Sequence, residues 1–157
     1  MYVQEAHSIA ALMLNDTSHS LVRVFLLTDR LKSLGKKSDL DLKHVHVVGA
    51  GTMGGDIAAW CALRGFDVTL QDREEKYIQP AMARAQKLFE KKLRGAEIQK
   101  ATARLKMDVA GAGAKDAQVA IEAIFEDVMA KQDLYKKLDA VMGPGEEIGR
   151  ASCRERV

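Results

Sequence analysis

The chain has 157 residues, 24 Lys and Arg against 22 Asp and Glu, and 47% apolar and 29% charged residues. That is one domain's worth of ordinary globular material. No apolar run approaches the roughly 18 residues of a membrane-spanning helix, no secretion signal opens the chain, and two cysteines exclude a disulfide framework and suggest a reducing compartment.

Residues 1 to 41 predict two helices. In Glu5 to Leu14 the residues Ile9, Ala10, Leu12 and Met13 crowd one side, and Asn15-Asp16-Thr17-Ser18 then supplies a break with helix-start chemistry. From Leu21 the residues Val24, Phe25, Leu27, Leu31 and Leu34 recur at helical spacing until Gly35. Such a helix wants a partner surface, so this opening is expected to be cut from something longer. The polar stretch Lys36 to Asp41 sets a boundary at about residue 41.

Beyond it the period changes. Val45, Val47 and Val48 form a β-branched run ending at Gly49, followed by a glycine-rich turn and an apolar helix over Ile57 to Leu63, closed by Gly65. Phe66 to Leu70 predicts a second strand. Glu74 to Arg94 is charged and helical, with Pro80 placed either to kink it or to divide it. Leu105, Met107 and Val109 alternate with polar residues as an edge strand does, and Val119 to Phe125 is the nearly continuous apolar run of a central parallel strand. Val128 to Met142 returns to helix before Gly143-Pro144-Gly145. Strands alternating with helices predict an α/β fold with a Rossmann-type parallel sheet of about four strands, incomplete and preceded by the two-helix segment.

The last ten residues, Ile148 to Val157, look like the translated read-through of a sequencing-library adapter and carry no helical or strand period. They are expected to be a non-native tail outside the fold. Without their three Arg and one Glu the body holds 21 basic and 21 acidic residues, which gives no argument for nucleic acid as partner.

The chemistry-bearing motif is G-x-G-x-x-G at Gly49, Gly51 and Gly54. The spacing alone is weak, but here a strand precedes it, a helix follows, and Asp72 stands at the end of the next strand. Gly49 permits a tight turn, Gly51 admits a pyrophosphate against the backbone, and Gly54 lets the helix pack on the strand. The amides of Thr52 to Gly54 then face the phosphates with the positive end of the helix dipole behind them. Asp72 can accept from ribose hydroxyls and repels a 2′-phosphate, favouring NAD over NADP, although Arg73 beside it keeps that choice open.

The end of the fourth strand should line the same crevice, which brings in Ile124, Phe125 and Glu126, with Lys131 one turn into the next helix. Glu126 reads equally as a ribose or nicotinamide ligand and as a helix-capping acid in water. Glu122, an acid within an apolar strand, reads first as a buried group bonded to backbone and second as a ligand. His44 and His46 share a strand face but have no third ligand for a metal, and Cys61 reads as a packed hydrophobe. His7 and His19 read as surface residues, and no general base stands out between 42 and 147.

The stretches VHVVGAGTMGGDIAAWCALRGFDVTLQDR and AIEAIFEDVMAKQDLYKKLD resemble the NAD-binding half of the 3-hydroxyacyl-CoA dehydrogenases. The leading EAHSIAALMLNDTSHSLVRVFLLTDRLK is similar to the helical linker between the hydratase and dehydrogenase parts of the multienzyme α-subunit of fatty-acid oxidation. The resemblance implies hydride transfer from an (S)-3-hydroxyacyl-CoA to NAD, giving the 3-ketoacyl-CoA. It puts cofactor contacts at Gly49, Gly51, Met53, Gly54, Asp72, Ile124, Phe125, Glu126 and Lys131. It also implies an acyl-CoA substrate, a thiolase partner subunit and an oligomer for the full-length protein, in the cytoplasm of a bacterium or the mitochondrion or peroxisome of a eukaryote.

The family's catalytic His, its orienting Glu and the helical dimerisation domain come later than residue 147, so this chain is expected to be a fragment that is inactive alone. Without a fifth strand the fourth is expected to be an exposed edge, giving poor solubility or loose packing. A free-standing dinucleotide-binding regulatory module and a methyltransferase-like nucleotide fold are the competing readings.

Overall fold

The computed structural model describes residues 2–35, 42–143 and 147–151. The charged connector 36–41, the Pro144-Gly145 turn and the end of the tail lie outside them. The chain divides at residue 41 into two units. The first holds α1, Tyr2–Met13, and α2, Asp16–Gly35. The second helix begins earlier than the apolar spacing indicates, because the Asn15 side chain accepts from the Thr17 amide at 2.7 Å and caps it. The two helices do not bury their apolar sides on each other: Leu12, Leu27 and Leu31 are all exposed, Phe25 by 70%.

The second unit is a parallel sheet of order β3-β2-β1-β4-β5. Its strands are β1 His44–Val48, β2 Asp67–Gln71, β3 Leu105–Met107, β4 Val119–Glu122 and β5 Glu147–Arg150. The helices are α3 Thr52–Leu63, α4 Glu75–Lys92, α5 Ala96–Arg104 and α6 Val128–Val141, with a 3-10 turn at Ala112–Asp116. Val45, Val47, Val68 and Leu70 turn to one side of the sheet and pack with Ala58, Ala62, Ile78, Ala81 and Phe89. Val48 and Ala120 turn to the other, against Ala114 and Leu138. Burial on both faces is why β1 reads as a run of valines.

The structure departs from the sequence expectations at several points. The sheet has five strands rather than about four. β4 is not an edge, because Glu147–Arg150 pairs along it in parallel, Val119 opposite Glu147 and Glu122 opposite Arg150. A ladder is made of backbone groups, so the open side of β4 takes up an extended segment, here including Ile148 to Arg150 of the tail, that no side-chain pattern marks. α4 is a single helix that contains Pro80 on its exposed side, and α5 follows it after Gly95, whose φ is +52°. Finally β4 stops at Glu122, leaving Ile124 and Phe125 beyond the strand, with Phe125 60% exposed.

A polar thread crosses the buried side of β1 and β2. His46 is fully buried; its Nε2 lies 2.9 Å from Gln71 Oε1 and its Nδ1 2.8 Å from Thr69 Oγ1, while His44 Nε2 approaches the same hydroxyl at 2.9 Å. The amide oxygen can only accept, so His46 Nε2 carries the proton and Nδ1 accepts from Thr69, which in turn accepts from His44. Burial is the main influence on His46 and lowers its pKa below 6.5, with His44 acting the same way and the Gln71 bond and Asp108 charge opposing it. Since the unfolded chain takes up a proton at about pH 6.5 and the folded chain only below that, stability should fall as pH drops through 6.5. Melts between pH 7.5 and 5 are expected to show this slope. His46→Gln should cost about 1–3 kcal/mol at pH 7.5 and flatten it.

Candidate functional site

The order of the sheet reverses at β1, whose neighbours are β2 on one side and β4 on the other. Just past β1, Gly49 turns with φ +106° and its amide donates to Gln71 O at 2.8 Å. A Cβ there would stand 2.5 Å from the Ala123 carbonyl oxygen, so the turn presses against the end of β4. A Cβ on Gly54 would collide with the Gly49 carbonyl oxygen, and one on Gly55 would lie 2.7 Å from Ala81 Cβ. These two glycines bring α3 down onto the turn and onto α4.

Gly51 differs from both. Nothing lies within 4 Å of where its Cβ would be, although its carbonyl oxygen accepts from Arg84 Nη2 at 3.0 Å and from the Gly55 amide at 3.0 Å. No side chain caps α3. The first turn of α3, Thr52 to Gly54, follows directly on this open position, the setting in which the start of a helix can receive an anion.

Asp72 follows β2 and is tied to the same turn. Its Oδ2 accepts from the Ala50 amide at 2.8 Å and its Oδ1 from the Arg73 amide at 2.7 Å. The carboxylate is oriented by backbone and keeps lone pairs for further donors. Between these groups opens a cleft of about 550 Å³, lined by Gly49, Gly51 and Asp72 on one side and Ile124 and Phe125 on the other. The Arg73 guanidinium lies 5.8 Å from the centre of the Tyr77 ring and 5.9 Å from that of Phe125. It joins the two rims at distances where a cation and an aromatic face attract.

Five of the residues expected from sequence therefore meet around one crevice: Gly49, Gly51, Asp72, Ile124 and Phe125. Gly54 is buried beneath it and serves packing. Thr52 and Met53 border a separate shallow apolar hollow on α3, with Ile57 and Trp60. Glu126 and Lys131 stand together at the start of α6, where Lys131 Nζ donates to Glu126 Oε1 at 2.9 Å and lies 3.2 Å from Glu122 Oε2. Lys131 is 8% exposed in its side chain, a cation inside the fold rather than at its surface.

Glu122 bonds to backbone, its Oε1 accepting from the Ile124 amide at 2.9 Å, and its Oε2 also accepts from Tyr135 OH at 2.9 Å. Asp127, and not Glu126, is the cap of α6, its side chain accepting from the Ala130 amide at 2.7 Å. Gln71, Tyr77 and Lys137 also line the crevice. Gln71 was legible as the last residue before Asp72; Tyr77 and Lys137 are brought in by helix phase, which no motif marks. Cys61 packs against the core, and burial raises its thiol pKa.

Among the described residues no group of three or more His, Cys, Asp or Glu is placed to hold a metal ion, and no helix is long and apolar enough to cross a membrane.

Comparison with known proteins agrees with the geometry. The family model described as "3-hydroxyacyl-CoA dehydrogenase, NAD binding domain" matches residues 44–148. The chain is 26% identical over 151 residues to the glyoxysomal fatty acid β-oxidation multifunctional protein MFP-a of Cucumis sativus, covering 90% of this chain and 21% of that protein. It superposes on 3-hydroxybutyryl-CoA dehydrogenase of Escherichia coli K12 with a TM-score of 0.67 at 26% identity, over 71% of this chain and 25% of that one. For (S)-3-hydroxybutyryl-CoA dehydrogenase PaaH1 of Ralstonia eutropha the TM-score is 0.65 at 30% identity, over 70% and 41%. The chain spans about a fifth of the curated relative and a quarter to two fifths of these solved chains. It belongs to the 3-hydroxyacyl-CoA dehydrogenase family, and what residues 44–148 supply is that family's NAD-binding domain.

Proposed function

We propose that the crevice at the ends of β1, β2 and β4 is where NAD sits, as the cofactor-holding part of an enzyme that oxidises (S)-3-hydroxyacyl-CoA to 3-ketoacyl-CoA in fatty-acid β-oxidation. The observation that carries this reading is the contrast among the glycines. Gly49 and Gly54 are filled against by protein, whereas the space over Gly51 is empty and faces the uncapped start of α3. Gly65 and Gly95 have open space too, but their positive φ calls for glycine; at Gly51, with φ −59°, neither backbone nor packing does, and the approach of a pyrophosphate to the backbone gives the missing reason.

NAD, when bound, accepts the hydride; the chain's own residues bind and orient it. The α3 amides take the pyrophosphate, Asp72 accepts from the adenosine ribose hydroxyls, and Ile124 and Phe125 form the apolar wall of the crevice. Glu126 accepts from a ribose or the nicotinamide at the β4 end. Arg73, held between Tyr77 and Phe125, supplies a flat cationic surface near the adenosine end. No histidine follows His46 in the 157 residues, and His44 and His46 are engaged with Thr69 and Gln71. On this reading the NAD-binding domain has no histidine left to take the proton of the substrate hydroxyl.

Residues 1–41 fit a helical linker on the same reading, since their apolar sides are exposed within their own unit. The ten residues from Ile148 fit a foreign sequence whose first part lends β4 only its backbone. An acyl-CoA substrate, a thiolase partner subunit and an oligomer belong to the parent protein. Its compartment would be the cytoplasm in a bacterium and the peroxisome or mitochondrion in a eukaryote, the first eukaryotic choice being the kind of organelle in which the cucumber relative is named.

NADH fluorescence titration of the 157-residue chain tests the reading, with S-adenosylmethionine as competitor. Saturable NADH binding that S-adenosylmethionine does not displace is expected, and displacement would contradict it. Gly51→Ala should keep the wild-type melting temperature yet weaken NADH at least about tenfold. Gly54→Ala should lower the melting temperature, since its Cβ has nowhere to go. Asp72→Asn should weaken NADH about tenfold and narrow the preference over NADPH, the charge that repels a 2′-phosphate being gone. A spectrophotometric assay with 3-hydroxybutyryl-CoA and NAD should show no turnover by the isolated chain.

A further inference from the structure

Glu122 is 1% exposed, although an ionised carboxylate is costly to bury and a well-packed apolar group usually serves stability as well or better. Three of its contacts come from later in the chain. Oε1 accepts from the Ile124 amide two residues on, and Oε2 takes Tyr135 OH and Lys131 Nζ, both from α6. Lys131 Nζ then donates to Glu126 Oε1 at 2.9 Å. Side-chain exposure rises along the series from 0% at Glu122 to 8% at Lys131 and 47% at Glu126. The charges form a ladder from the buried end of β4 out to the segment before α6, and its last rung is the residue next to Phe125, which lines the crevice.

We propose that Glu122 is a positioning residue for the cofactor site: through Lys131 it fixes the carboxylate of Glu126, and through the Ile124 amide it fixes the chain that walls the crevice. This rests on the reading that the crevice holds NAD. A half-exposed glutamate samples several rotamers, and immobilising it only on binding would weaken affinity. An ammonium on a long flexible stem cannot fix it unless the ammonium is itself held. Glu122 holds it, from a strand whose backbone is paired along β1. Glu122 does not itself line the crevice: its Oε2 is turned to α6 and its Oε1 to the Ile124 amide.

A double-mutant cycle on the 157-residue chain tests this, reading NADH dissociation constants by fluorescence for the wild type, Glu122→Gln, Lys131→Met and the pair, with circular dichroism to verify folding. Each single change is expected to weaken NADH about tenfold, and the pair no more than Lys131→Met alone, because both remove the same restraint. Wild-type affinity in Glu122→Gln, or losses that multiply to about a hundredfold, would overturn the proposal in favour of a merely structural acid. If Glu122→Gln does not fold, Tyr135→Phe decides. It removes one donor to Glu122 and should weaken NADH about threefold in the wild-type background and not at all with Lys131→Met, and equal losses in both would overturn the proposal. A folded wild-type chain that binds no NADH would overturn the NAD reading itself, and the positioning role with it.

Discussion

The structure depends on how closely two stretches of backbone approach each other. Gly49 lies so near the Ala123 carbonyl, and Gly54 so near the Gly49 carbonyl, that neither position has room for a single methyl group. That approach pulls the start of α3 onto the end of β1 and sets β4 beside both. It leaves the first amides of α3 over the point where the sheet order reverses. A general feature of parallel sheets, that ligands gather outside the carboxyl ends of the strands at such a reversal, thus becomes a specific pocket because three glycines sit where they do. Gly51 alone among the three has no protein atom within 4 Å of where its Cβ would stand.

Two polar devices then set the rims. On the β2 side Asp72 is held by the Ala50 and Arg73 amides, so its carboxylate is a fixed feature of the turn rather than a mobile surface acid. On the β4 side the acids come in two depths. Glu122 is wholly buried, while Glu126 is half exposed, and Lys131 stands between them. Arg73 connects the rims through two aromatic rings. Such contacts at an exposed position contribute on the order of 0.5–1 kcal/mol, enough to bias an open rim.

Much of this was legible in the sequence because its signals are local. The valine run before Gly49, the glycine spacing and the acid at the end of β2 each follow from neighbouring residues, and together they located the crevice. What was not legible depended on distant contacts. Glu147–Arg150 has no strand pattern, and it pairs because β4 offers unpaired backbone, a property of the sheet rather than of the segment. α5 is a short helix after a left-handed Gly95 and shows no break strong enough to announce it. Pro80 invited a division of α4 that did not occur, since a proline on the exposed side near the start of a helix removes one donor without displacing the buried side that Ile78, Ala81, Ala85 and Phe89 provide. Lys131, expected from the family resemblance as a contact to the cofactor, is placed by the fold inside an ion cluster, a setting that sequence spacing cannot reveal.

The claim on which the account rests is that the β1–α3 turn receives the pyrophosphate on its amides. Backbone amide NMR of the 157-residue chain, titrated with NADH, tests this most directly. The account predicts that the largest shifts fall on Gly51 to Gly54, with smaller ones at Asp72 and at Ile124 and Phe125, and that the amides of α1 and α2 stay where they are. Shifts confined to the exposed leucines of α1 and α2, with the turn silent, would contradict it.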